Sequence, residues 1–125
     1  MEIRGNEIGF YFNVRARINI AQLTETKALD KIDDLLRGDE EQVVENVFRI
    51  ARILNHEYEL KKRQDEGKNV NLKEDYSLIK LDDILDLDNF EYNQLFNEVL
   101  DTLTGNRTVV AEPKKGKKTT AKSSS

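Results

Sequence analysis

Apolar residues recur at three- and four-residue steps through Val43, Val44, Val47, Phe48, Ala51, Leu54 and Tyr58, the period that lays one apolar stripe along an α-helix. Asp39-Glu40-Glu41-Gln42 precedes them in the form of a capping box, with carboxylates in the first turn where the helix dipole favours them. Lys61-Lys62-Arg63 and Gly67 then supply a basic last turn and a left-handed stop. These signals predict a helix over roughly residues 40–65. The same grammar returns at Asp88-Asn89-Phe90-Glu91, followed by Phe90, Tyr92, Leu95, Phe96, Val99, Leu100 and Leu103 and closed by Gly105, which predicts a second amphipathic helix. Ala28, Leu29, Ile32, Leu35 and Leu36 form a shorter helical stripe ended by Gly38. Across residues 71–86 two registers compete. Leu72, Tyr76 and Ile79 follow a cap at Asn71, whereas Leu78, Leu81 and Leu85 fit another, so short helical pieces are expected there.

The N-terminal pattern differs in kind. A two-residue turn at Gly5-Asn6 would pair Arg4 with Glu7 and set Ile3 opposite Ile8, charge against charge and Ile against Ile. Alternation then continues through Phe10, Phe12, Val14, Ala16, Ile18 and Ile20, while Ala16, Ile20 and Leu23 also fit a helix. The expected solution is a strand ending near Asn13 and a helix after it. An isolated hairpin is marginal in water, so this one should dock on the helices or on a neighbouring subunit, which leaves a homo-oligomer open.

Charge divides the chain at Gly105. Residues 106–125 hold six basic residues and one acid, a net +5, which leaves residues 1–105 with 14 basic and 23 acidic residues, a net −9. The basic segment has too little apolar surface to offset about 1 to 2 kcal/mol per residue of backbone ordering, so it is expected to be a disordered tail. Residues 1–105 suit one small, mainly α domain with an N-terminal β-hairpin, able to take roughly 60 to 70 per cent of its unfolded surface out of water. The chain has no cysteine, which suits a reducing cytoplasm. The start lacks a basic and then apolar leader, and no run is long enough to span a bilayer, so a soluble, unexported protein without a membrane partner is expected.

The chemical inventory is poor. His56 is the lone histidine, expected on a helix face as a solvated residue, and no nucleophile or triad can be assembled around it. Asp82, Asp83, Asp86 and Asp88 are dense, but neither Asp82 nor Asp86 starts a pattern with the glycine and terminal glutamate of a calcium loop. They read as a solvated acidic face that also caps the last helix. No glycine-rich phosphate loop is present, and Lys61-Lys62-Arg63 reads as a helix end. Neither an enzyme nor a metal or organic cofactor is expected.

The layout resembles that of the tail assembly chaperones of long-tailed bacteriophages. The likeness lies in a short strand pair, Met1-Glu2-Ile3 and Ile8-Gly9-Phe10-Tyr11-Phe12, that runs into the basic, apolar-spaced helix start Val14-Arg15-Ala16-Arg17. It lies also in the acidic helix from Asp88 to Leu100 followed by a polar tail, and it leaves the middle of the chain unassigned. The resemblance implies a protein of the host cytoplasm, outside the mature virion, that holds the tape measure protein soluble and helps bring major tail tube protein to it. It also implies a programmed ribosomal frameshift near the end of the reading frame, with Lys114-Lys115 or Gly116-Lys117 as the junction, although a plain solubilising terminus explains the same residues.

Such a chaperone would use aromatic anchors, for which Phe48, Tyr58, Phe90, Tyr92 and Phe96 are the candidates. Helical spacing assigns most of them to the protein's own core. Tyr92 lies off the Leu95, Val99 and Leu103 row and is the one best placed for exposure. The rival class is a small nucleic-acid-binding or regulatory protein using the basic tail. A body at −9 should repel a duplex, and no helix carries the Arg, Asn and Gln cluster that base readout requires, which argues against nucleic acid.

Overall fold

The computed structural model describes residues 1–105 apart from Thr26 and Ala28, with backbone alone at 29–31. Over these residues the chain is mainly helical, with a two-stranded antiparallel hairpin at its start. In chain order the elements are β1 (Glu2–Ile3), β2 (Asn6–Glu7), α1 (Val14–Ala21), a 3₁₀ segment (Leu29–Leu36), α2 (Glu40–Asp65), α3 (Leu81–Leu85) and α4 (Asn89–Leu103). The 26-residue α2 is the spine, about 39 Å long at the standard rise. On it pack α1, the 3₁₀ segment and α4, around a core that includes Ile8, Phe10, Ile20, Val47, Ile50, Leu54, Ile79, Leu95 and Val99.

The two long helices begin and end where their signals lie. Asp88 accepts from the Glu91 N–H at 2.8 Å and Glu91 accepts from the Asp88 N–H at 3.0 Å, a complete capping box. At α2 half of the box forms. Asp39 accepts from the Gln42 N–H at 3.2 Å, while the Gln42 amide turns to Asn46. The other end of α2 closes with Lys68 N–H to Arg63 O (2.9 Å) and Gly67 N–H to Gln64 O (3.0 Å), with Gly67 at φ +75. These are the paired bonds of a Schellman stop, which a residue with a Cβ would strain.

Three expectations are corrected. The hairpin pairs Glu2 with Glu7 and Ile3 with Asn6, so the turn is Arg4-Gly5, one residue earlier than Gly5-Asn6. Both central residues have positive φ, 54 and 82, as a type I′ turn demands. Left-handed Arg4 costs about 1 kcal/mol, offset by its bond to Asp83 at 2.9 Å in place of the expected Glu7. The shift keeps Ile3 and Ile8 on one face, and both are buried.

The strand expected to end near Asn13 ends at Glu7. Residues 8–13 are an extended strap whose Tyr11 N–H donates to Leu54 O (3.1 Å) at the side of α2. The helix after Asn13 does form, because Asn13 Oδ1 accepts from the Ala16 N–H at 2.8 Å.

The expected helix before Gly38 is 3₁₀ rather than α. Leu29, Ile32 and Leu35 are spaced by three, the period of that tighter form. Ile32 and Leu35 are buried, and Asn46 of α2 donates to Leu35 O at 3.0 Å. Of the short helical pieces expected over residues 71–86, α3 forms, while residues 75–80 run as a second, irregular strap held by Ser77 N–H to Asp75 Oδ1 (3.0 Å) and Ile79 N–H to Ser77 Oγ (3.1 Å). The basic tail of residues 106–125, with Lys114, Lys115, Gly116 and Lys117, lies outside the described residues.

Candidate functional site

The C-terminal half of α2 presents Arg52, Asn55, His56 and Glu57 to the two straps, and the first three bond to strap backbone groups. Asn55 is fully buried and bridges both. Its Nδ2 donates to Gly9 O at 2.9 Å, and its Oδ1 accepts from the Leu78 N–H at 2.7 Å and the Ser77 hydroxyl at 3.1 Å. His56 Nδ1 accepts from the Tyr76 N–H at 3.0 Å, and the two rings stack with centroids 5.9 Å apart. The expected solvated histidine is thus half-buried and bonded, because the strap folds back over it. Arg52 donates to Ile79 O and pairs with Asp75, and Arg63 lies over the Tyr76 ring at 4.7 Å.

Glu57 fastens α1. Its side chain is 1% exposed, and its oxygens accept from Asn13 Nδ2 (2.9 Å), Arg15 Nε (2.8 Å) and a second Arg15 nitrogen (2.9 Å). Burial alone would push this carboxyl up. The hydrogen bonds from Arg15 and Asn13, with the charges of Arg15 and His56, outweigh burial and hold it below its ordinary 4.5. Asn13 therefore caps α1 with its oxygen and grips α2 with its nitrogen. A cavity of about 220 Å³ opens beside His56, lined by Asn19, Arg52, Lys73 and Asp75 among others. Its charged groups include Arg52 and Asp75, already paired with each other. The cluster locks irregular backbone in place.

The candidate anchors are divided by the fold. Phe48 is half-buried against the core. The Tyr58 ring lies flat on Gly9, where an added Cβ would come within 2.6 Å of it, so this aromatic is used inside the molecule. Tyr92, expected to be the exposed one, is half-buried beside Phe96 with ring centroids 6.4 Å apart. Burial and then Glu40 push its hydroxyl pKa up, and that hydroxyl has no hydrogen-bond partner among the described residues. Phe90, in the first turn of α4, is the freely exposed aromatic at 77%.

Sequence reading missed the bridging role of Asn55 and Glu57. The signal available was the polar triplet Asn55-His56-Glu57 between the stripe residues Leu54 and Tyr58. Asp83 belongs to the Arg4 ion pair and Asp88 to the α4 cap, and among the described residues no group of three or more His, Cys, Asp and Glu is placed to hold a metal ion. No helix among them is long and apolar enough to cross a membrane. No family model, no curated protein and no solved structure matches the chain.

Proposed function

We propose that this protein is a tail assembly chaperone of a long-tailed bacteriophage, which binds the tape measure protein in the host cytoplasm, keeps it soluble and helps recruit major tail tube protein. It does not enter the finished particle. The reading rests on the resemblance in layout, and the observation that carries it furthest is the exposed aromatic that opens α4. Phe90 is exposed in the first turn of a helix whose Leu95 and Val99, with Tyr92 and Phe96 packed beside them, already face the core. Aromatics beyond what a core needs are the residues that anchor partner helices. A largely helical tape measure would offer apolar faces that otherwise self-associate.

Co-expression with the tape measure protein of its own phage tests this. The partner's soluble fraction should rise, and the two should co-purify at low and moderate salt. Tight binding to duplex DNA without tape measure binding would replace the chaperone by the nucleic-acid reading. The same proposal places a ribosomal slip at the codons of Lys114-Lys115 or Gly116-Lys117. Synonymous recoding there should remove a minor, longer product of the native locus.

A further inference from the structure

Two short helices leave an apolar edge uncovered, and the edges carry opposite charge. On α1, Val14 and Ile18 stand one turn apart, 68% and 51% exposed. They are flanked by Arg15 and Arg17, and the helix VRARINIA has no acidic residue. On α3, Leu81 and Leu85 stand one turn apart, 41% and 62% exposed. They are followed by Asp82 and Asp86; Arg4 reaches Asp83 at 2.9 Å and Asp86 at 3.9 Å and Lys80 precedes Leu81, so Asp82 is the exposed carboxylate that this edge offers a neighbour. Neither edge is spare core. α1 buries Ala16 and Ile20 on its other side, and α3 buries Ile84.

We propose that the basic apolar edge of α1 docks on the acidic apolar edge of α3 in a second copy of this chain. Each edge has an exposed apolar pair at helical spacing, and the charges beside the two pairs are opposite, Arg17 with part of Arg15 on α1 and Asp82 on α3. Arg15 donates two N–H groups to Glu57, which leaves part of its fork of five donors for a neighbour's carboxylate. Arg17 and Asp82 are both exposed. Because the two edges are different surfaces of one molecule, the contact is head-to-tail. Each copy keeps one free edge of each kind until a ring closes or a filament grows. The inference does not depend on the tape measure reading, since it concerns the protein alone.

The experiment is sedimentation of the full chain from micromolar to submillimolar concentration, with Ile18→Asp and Leu85→Arg variants. These place a carboxylate in the basic edge and a cation in the acidic one, both at exposed positions, and circular dichroism should show unchanged helix content. The wild type should show a mass that rises with concentration and falls as salt increases. Each variant alone should sediment as a monomer. Their mixture should form a one-to-one dimer and nothing larger, because it restores a single intact pair of edges. A monomeric wild type overturns the proposal, as does assembly that neither substitution disturbs or a mixture that stays monomeric. Assembly lost in Leu85→Arg and kept in Ile18→Asp also overturns it, since something other than α1, such as the basic tail, would then cover the α3 edge.

Discussion

The C-terminal half of α2 and the stretch from α3 into α4 are opposites in how they treat side chains. Around Asn55 and Glu57, polar groups are buried, and each oxygen and amide nitrogen of these two side chains has a partner. From Leu81 to Phe90, large apolar groups stand in water between carboxylates. The first region is polar because two straps of irregular backbone pack on α2, and side chains of α2 supply hydrogen bonds to them. The second contributes to the fold through Ile84, the Asp83–Arg4 pair and the Asp88 cap, while its exposed apolar groups do not. Burial of polar groups here marks architecture, and exposure of apolar ones marks surface free for other uses.

Asn55→Ala should be the most damaging change, because Gly9 O and the Leu78 N–H lose their partner inside the core. A loss of about 3 kcal/mol in denaturant unfolding is expected for two buried groups left unpaired. A loss under about 1 kcal/mol would mean that water takes over these bonds and that the clamp is not what holds the straps. Gly9→Ala should cost about 2 kcal/mol, since its Cβ would meet the Tyr58 ring at 2.6 Å and the strap or the ring must move.

Acid should separate the regions further. The Glu57 carboxyl is held below its ordinary 4.5, so the folded state binds a proton there less readily than the unfolded chain. Its contribution is present above pH 4.5 and is lost as pH falls through the lower folded value. Unfolding curves from pH 6 to 3 should show this loss in the wild type, and Glu57→Gln should flatten it while lowering stability at neutral pH. Phe90→Ala should have the smallest effect on the fold, about 0.5 kcal/mol or less, because the ring is 77% exposed. Under the chaperone reading the same variant should weaken co-purification with the tape measure protein. A stability loss as large as that of Asn55→Ala would show that α4 needs its first turn packed.

Legibility followed the range of the forces involved. Glu40–Asp65 and Asn89–Leu103 could be placed from caps and periods alone, because a cap acts within one turn and an amphipathic stripe declares its own buried face. The hairpin was legible as a hairpin, but its register was not. Gly5 serves a turn centred on either side of it, and Asp83, 79 residues away, bonds to Arg4. The candidate anchors were misjudged for a local reason. Tyr92 stands three and seven residues before Leu95 and Val99, on their stripe, and is half-covered, whereas Phe90 lies off it and is exposed.

The sequence by itself determined a mainly helical body, the start and stop of its two long helices, the hairpin and the division of charge at Gly105, since all of these rest on neighbours within a few residues. Only the tertiary structure decided the hairpin register, the 3₁₀ winding before α2, the irregular path of residues 75–80 and the burial of His56, Asn55 and Glu57. Each of these depends on hydrogen bonds between groups far apart in the chain, such as Asn55 to Gly9 across 46 residues, and no local pattern encodes which distant partner will arrive.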